Sequence, residues 1–315
     1  MDHLQSRTGR MQEFIQTIVN GLQTGCLYAL IALGYTMVYG ILKLLNFAHG
    51  DVYMVGAYIG YFVIRWFGGP ASLSIPVPLL ILIMFTLAAA GCGLLGVAME
   101  RFAYRPLRDA PRIAPLITAL GISFVLENTV LLLFGGEPRS YGTERFISFS
   151  SGIHLGHVLI DTVQILILAV SVAMMFGLRE LVQRTTLGKS MRAVASDREA
   201  AEMLGINVNR TVALTFFIGS AMAGVAGVMS GLAGVQVANT IGFLAGLKAF
   251  TAAVVGGIGS IPGAMIGGLF IGLTESFSAS YISSQYTDLI VFGVLIATML
   301  IRPQGIFGRP PLQKV

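Results

Sequence analysis

The chain has 315 residues, 55% of them hydrophobic and only 11% charged, with a mean hydropathy of +0.79. A soluble domain carries about 25% charged residues, so this composition excludes an ordinary water-facing globule and predicts an integral membrane protein of many helices. The formal net charge of +5 does not point to nucleic acid, because the basic residues lie between apolar runs, where the topology rule for cytoplasmic loops puts them.

The first thirteen residues are polar, and the run after them is too long for a cleavable signal; Met11 is an alternative start to Met1. Eight apolar runs follow: Phe14–Leu42, Val52–Phe67, Val77–Met99, Ile113–Phe134, Val158–Leu178, Thr211–Val237, Phe243–Gly272 and Tyr286–Ile301. Most reach spanning length, roughly 20 residues. The second is short, and the seventh is interrupted by Gly256, Gly257, Gly259, Pro262 and Gly263. Cys26 and Cys92 both sit in apolar runs and read as small packing residues. Ala223, Gly227 and Gly231 are spaced by four, as are Gly263 and Gly267, and Gly268 and Gly272. Such spacing lets helix backbones approach closely, within this bundle or at a subunit interface.

Basic residues orient the runs. Arg101, Arg105, Arg108 and Arg112 follow the third run; Arg179, Arg184, Lys189, Arg192, Arg198 and Arg210 follow the fifth; Arg302, Arg309 and Lys314 lie in the tail, and Arg7 and Arg10 in the head. All four segments, and so both termini, are expected in the cytoplasm. Gly135–His157 and Glu275–Asp288 are poor in Lys and Arg and are expected outside. Eight simple spans cannot satisfy this. The conflict disappears if the second and seventh runs enter and leave on the same side or are otherwise broken. The expected fold is therefore an all-α polytopic bundle, one transmembrane domain over residues 1–315, with about eight membrane segments, two of them discontinuous or re-entrant. Broken segments at matching places in two halves point to a transport path.

The longest charged island is Thr185–Arg210, part of a cytoplasmic loop at about 179–210. Ser196 with Glu199 three residues on makes a capping box, and Gly205 is a C-terminal stop. Between them Ala200, Met203 and Leu204 share one face. A helix of about two turns is marginal alone and needs a surface, either the chain's own membrane-proximal end or a partner's groove.

Four further features carry candidate chemistry. Gly188-Lys189-Ser190 resembles the end of a phosphate loop, but Gln183 stands where the motif needs glycine, so nucleotide binding by this chain is rejected. Asn46-Phe47-Ala48-His49-Gly50-Asp51 is a polar knot between two apolar runs, either an interfacial turn or a lining of the path. Glu127 and Asn128 lie deep in the fourth run and Lys248 in the seventh; ionisable groups at that depth seek a partner or water, and a Glu127–Lys248 pair would neutralise both. His154 and His157 are too few for a metal site, and no hydrolase or metalloprotease motif stands out, so neither a metal nor a catalytic residue is expected.

Asn20-Gly21-Leu22, Gly40-Ile41, Leu45-Asn46-Phe47-Ala48-His49-Gly50-Asp51, the stretch Arg192-Ala193-Val194-Ala195 to Gly205-Ile206, Lys248-Ala249-Phe250 and Ala253-Val254-Val255-Gly256-Gly257 together resemble the branched-chain amino acid ABC transporter permeases, LivH-type. The resemblance covers nearly the whole chain. It implies one of two unlike permease subunits in a bacterial inner membrane, paired with a LivM-like chain. Two cytoplasmic LivG- and LivF-like ATPases would bind the ATP, and an external binding protein would deliver substrate. It also implies that Ser196, Asp197, Arg198, Glu199, Ala200, Ala201, Met203, Leu204 and Gly205 form the coupling helix that docks on an ATPase. Glu199-Ala200-Ala201 followed by Gly205 resembles the start of the EAA motif of ABC importers, whose downstream part is missing at Thr215–Phe217. Path candidates are Asn46, His49, Asp51, Glu127, Asn128, Lys248, Gly256 and Gly257. Relatives with similar motifs import urea, short amides or other amino acids, so the cargo stays open. The competing reading is an ion-coupled carrier or channel, with Glu127 and Lys248 as a proton relay.

Overall fold

The computed structural model describes residues 2–108, 110–111, 113–147, 152–155 and 158–308, with the side chains of 2–10, 153–155 and 158 outside the description. Arg112, His157, Arg309 and Lys314 lie outside the described residues. The chain forms α1 (Asp2–Leu42), α2 (His49–Trp66), α3 (Val77–Met99), α4 (Ile113–Phe134), a β-hairpin of β1 (Gly152–Leu155) and β2 (Val158–Asp161), α5 (Thr162–Arg184), α6 (Thr186–Ser196), α7 (Arg198–Met203), α8 (Val208–Leu232), α9 (Ile241–Gly256), α10 (Ile261–Tyr281) and α11 (Thr287–Ile301). The hairpin is antiparallel, with Gly152 opposite Asp161 and Leu155 opposite Val158. Among the described residues, six helices, those over Met11–Leu42, Val77–Leu107, Ile113–Phe134, Thr162–Arg184, Val208–Leu232 and Ser284–Ile301, are long and apolar enough to cross a membrane; Ile241–Gly256 is a shorter apolar helix.

The seventh apolar run is two helices. Gly257 (φ +105°) and Gly259 (φ +93°) take backbone angles that disfavour side chains, and Ser260 caps α10 by accepting from Gly263 N at 3.2 Å. The resulting α9 and α10 are antiparallel neighbours. The fifth run likewise divides into β2 and α5, where Asp161 and Gln164 form a reciprocal capping box. The second run is one continuous helix, and the break falls before it. After Leu42 the chain turns through residues 43–48 and starts α2 at His49, whose ring lies against Gly34. Gly34 is eight residues before the end of α1, so α2 begins about 12 Å inside that end. Lys43 at its start is exposed, but the backbone nearest α2 is covered by protein, with Asn46 2% and Ala48 0% exposed, the condition under which non-helical backbone is tolerated at membrane depth.

Contacts along α1 define the two ends of the bundle. At its start Phe14 meets Phe277, Thr17 bonds Ser280, and Asn20 accepts from Gln164 Nε2 at 2.9 Å. At its finish Thr36, Met37 and Lys43 share a cavity with Arg192 of α6. The tail is at this second end too, since Ile306 N and Phe307 N donate to Val255 O and Gly256 O. The head and the tail are thus at opposite ends, and the expectation that both termini share a side fails. The run count erred because α9 and α10 were merged. With them separated, α1, α2, α3, α4, α5, α8, α9, α10 and α11 alternate in direction from the α1 start, and no helix has to enter and leave on one side.

Small residues pack these helices within the chain. A Cβ added at Gly272 would lie 2.2 Å from Gly25 Cα, one at Gly268 2.4 Å from Ala29 Cα, and one at Gly227 2.1 Å from Tyr53 O. The four-residue glycine spacings are therefore used inside the bundle, where they let α1 meet α10 and α8 meet α2 at backbone distance.

Candidate transport path and coupling surface

The island folds as two helices and not one. Thr185 caps α6, accepting from Gly188 N at 3.1 Å, so Gly188-Lys189-Ser190 is helical and no phosphate loop exists. Ser196 is the last residue of α6. The cap of α7 is Asp197, which accepts from Ala200 N at 3.1 Å. The Ser196–Glu199 box is therefore not formed: α6 propagates through Ser196, and the chain becomes extended only at Asp197 (φ −154°). The stop is as expected. Gly205 has φ +80°, Gly205 N donates to Glu202 O, and Ile206 N to Ala201 O, the paired bonds of a Schellman cap.

This geometry orients α7. Ala201 is buried (2%) against the chain, whereas Met203 (86%) and Leu204 (80%) are exposed, as are Ala200, Arg198, Glu199 and Glu202. Arg198 pairs with Glu202 at 3.4 Å along the surface. Two large apolar side chains in solvent, rimmed by charges, on a helix held at both ends, form a surface suited to a partner's groove. From α7 the chain passes through Asn207, which caps α8, to Asn209, which accepts from Arg108 Nη1 at 2.7 Å. Arg108 also forms a buried ion pair with Glu100. Glu100 opens a π-helical turn over Glu100–Tyr104 that continues α3, and such turns occur often at functional sites.

The polar knot connects to the same turn. Tyr104 OH donates to Asn46 Oδ1 at 2.7 Å, and Ser123 Oγ to Asp51 Oδ2 at 2.5 Å. His49 lies edge-on to Tyr35 at 4.9 Å between ring centroids; Tyr35 and Phe47 both approach Phe250, at 6.1 and 5.9 Å. Asn46, His49 and Asp51 are 2%, 1% and 0% exposed. They line neither of the two cavities beside them and form a closed junction of α1, α2, α4 and α9. Asn46 Nδ2, His49 Nε2 and Asp51 Oδ1 are buried without hydrogen-bond partners, so the junction holds unsatisfied polar groups, which are costly.

Two cavities flank this junction. The inner one, about 220 Å³, lies beside α6 and is lined by residues including Thr36, Lys43, Arg192, Thr215 and Gly259. The outer one, about 380 Å³, lies on the far side and is lined by Asn20, Thr24, Leu27, Tyr28, Ile31 and Lys248 among others. Lys248 Nζ donates to Glu275 Oε1 at 2.7 Å and lies 2.8 Å from Asp288 Oδ1. The Glu127–Lys248 pair is thus absent. Glu127 is half-buried on α4, one turn from Ser123, and Asn128 is exposed and donates to Phe124 O at 2.7 Å. Gly256 and Gly257 line neither cavity; they form the turn clamped by the tail, with Gly257 closely approached by Gly308. Asn20, Tyr28, Glu275 and Asp288 were not singled out beforehand as path residues. The polarity of Asn20 and Tyr28 within an apolar run was the available signal.

The sequence profile described as branched-chain amino acid transport system / permease component matches residues 17–299. The chain is 47% identical over 303 residues to the high-affinity branched-chain amino acid transport system permease protein BraD of Pseudomonas aeruginosa, covering 96% of this chain and 98% of that one. It is 43% identical over 309 residues to the permease protein LivH of Escherichia coli K12, with the same coverage. It is 30% identical over 297 residues to the probable permease LivH of Methanocaldococcus jannaschii, covering 90% and 89%. No solved structure matches. The chain belongs to the branched-chain amino acid transport permease family.

Proposed function

We propose that this chain is the LivH-type subunit of an ATP-driven importer of branched-chain amino acids in a bacterial inner membrane. It forms one permease domain beside a second, unlike permease subunit. Two cytoplasmic ATPases bind and hydrolyse the ATP, an external binding protein delivers the amino acid, and this chain holds no cofactor. The α6–α7 end faces the cytoplasm, since Arg101, Arg105, Arg108, Arg184, Lys189, Arg192, Arg198, Arg210 and Arg302 gather there. The tail is then cytoplasmic and the start of α1 external. The outer cavity receives the amino acid, and the Tyr35–His49–Phe250 cluster closes it off from the inner one.

The observation that carries this reading is α7, six residues long, capped at both ends, with Ala200, Met203 and Leu204 in solvent. A helix this short has no reason to expose that face unless something covers it. Ala200→Trp tests it: the added bulk lifts the helix from an ATPase groove, so uptake and ATPase co-purification should fall while membrane insertion is unchanged. Normal uptake with the ATPase retained would reduce α7 to a surface loop. The ion-coupled carrier keeps one supporting observation, the Lys248 charge group at depth. Uptake driven by an ion gradient without ATP would favour it.

A further inference from the structure

The membrane helix α4 is held to the bundle by one narrow stripe. Its buried residues are Pro115, Ala119, Ser123 and Val130, which fall on one side of a helix of 3.6 residues per turn. Within that stripe Ser123 Oγ donates to Asp51 Oδ2 of α2. The opposite face is bare: Ile117, Gly121, Phe124, Asn128 and Leu132 are exposed among the described residues, and a Cβ added at Gly121 would meet nothing within 4 Å. Glu127 is half-buried at the edge of this face. Exposure alone does not single out α4, since α11 is covered even less. Composition does. Between their terminal turns α3 and α11 carry no charged or amide side chain, as contact with lipid demands. In α4, by contrast, Glu127, Asn128 and Thr129 follow one another. Glu127 stands seven residues before Phe134, so it lies about 10 Å inside the end of the helix. Among the described residues no Lys, Arg or His pairs with it.

A carboxylate and an amide at that depth are expensive against lipid and mark a face that meets a partner; polar side chains on such faces bond from helix to helix. We propose that the exposed face of α4 is the docking surface for the second, unlike permease subunit, with a membrane helix of that subunit over Gly121 and one of its basic side chains on Glu127. The inference rests on the permease reading above and deepens it. Charge selects the occupant. The helix holds one acid and no base, and behind it Asp51 adds a second carboxylate, bonded to Ser123 one turn from Glu127. In a two-fold dimer the same patch meets itself, so a second copy of this chain would bring another acid and no base. An unlike chain can bring the cation, and like charges set together at depth exclude the wrong partner. Gly121 gives the incoming backbone room for close approach, and Asn128, on the same side, offers its amide to it. Docking here also puts the second subunit one helix away from the closed junction, through the Ser123–Asp51 bond.

The test uses the complete transporter, with all its subunits, in bacterial inner membranes. Benzoylphenylalanine in place of Phe124 should, on irradiation, give an adduct of this chain with the second permease subunit. The same probe in place of Ile296 on α11, which is 60% exposed, should give none. Glu127→Leu makes its position more apolar. Were the acid to face lipid, that change would leave assembly intact or improve it. On a subunit interface it should cut co-purification of the second permease at least fivefold while the amount of this chain in the membrane stays the same. Where Glu127→Leu does not accumulate, the Phe124 adduct decides. An adduct between two copies of this chain, no protein adduct at Phe124, equal adducts at Phe124 and Ile296, or full retention of the second permease by Glu127→Leu overturns the proposal. An unmodified complex that purifies without any unlike permease refutes the two-subunit reading itself. That result is distinct from an unlike permease that is present yet forms no adduct at Phe124, which sinks the interface alone.

Discussion

Replacing Asp197 by Ala separates the observed architecture of the island from the one its spacing suggests. In the structure Asp197 alone caps α7, through one bond of 3.1 Å to Ala200 N, while Ser196 is exposed at the finish of α6 with no capping bond. Loss of an N-cap costs about 0.5–2 kcal/mol, typically ~1, and a helix of six residues has little else to hold it. One to two kcal/mol is roughly a 5–30-fold change in a two-state ratio. Asp197→Ala should therefore reduce the ordered population of α7 about fivefold, and with it ATPase retention and uptake. An uncapped surface position usually changes stability by less than ~0.5 kcal/mol, so Ser196→Ala should leave both close to unmodified. At the other end Gly205 sits at φ +80°, a left-handed conformation that costs an ordinary residue about 1–2 kcal/mol and a β-branched one more. Gly205→Val should match or exceed Asp197→Ala. The readouts are ATPase co-purification in mild detergent and ATP-driven uptake. If Ser196→Ala loses as much ATPase as Asp197→Ala, the assigned cap is wrong and α7 begins one residue earlier.

Two further outcomes follow from the same geometry. Glu100 and Arg108 form a pair whose side chains are 2% and 4% exposed; Glu100→Gln should cost about 3–5 kcal/mol, and a cycle with Arg108→Met should show non-additivity of at least ~1 kcal/mol in denaturant unfolding, additive losses meaning the pair is not formed. For topology, a single cysteine at Met11, with Cys26 and Cys92 replaced, should react with an impermeant reagent in spheroplasts while one at Ser196 does not, and the reverse pattern would invert the proposed orientation.

The helices were largely legible because hydropathy marks them directly. The break in the seventh run was legible too, since Gly257 and Gly259 are free to take the positive φ angles of a turn and Pro262 fits only the first turn of a new helix. What hydropathy cannot show is direction. Counted as one run, residues 243–272 return the chain to the wrong side, and the head was then drawn to the cytoplasm by Arg7 and Arg10. Those two charges are outnumbered by the bases at the α6–α7 end, which the proposed orientation puts in the cytoplasm. The cap failed for a different reason. Ser196 and Asp197 are both good N-caps, and spacing to Glu199 favoured Ser196. The choice was made upstream: a helix started by Thr185 runs on until the chain turns extended, which consumes Ser196.

The candidate site was half legible, and the missing half is the partner of each polar residue. Asn46, His49, Asp51 and Lys248 stand out because they interrupt apolar sequence, yet the groups that three of them bond lie far along the chain. Asn46 meets Tyr104, Asp51 meets Ser123, and Lys248 meets Glu275 and Asp288. Glu275 was assigned to a loop because hydropathy falls after Gly272, but α10 continues to Tyr281. It does so because its polar side chains bond across the helix interface: Ser276 Oγ donates to Thr17 O at 2.7 Å, and Thr17 Oγ1 to Ser280 Oγ at 3.2 Å. In an apolar medium such interhelical bonds let a polar stretch stay helical and buried. Lys248 therefore finds its acids on the extension of the helix its own run turns into, a few residues past the turn that spacing did reveal, and Glu127, at similar depth on α4, is left to the Asp51–Ser123 side of the junction.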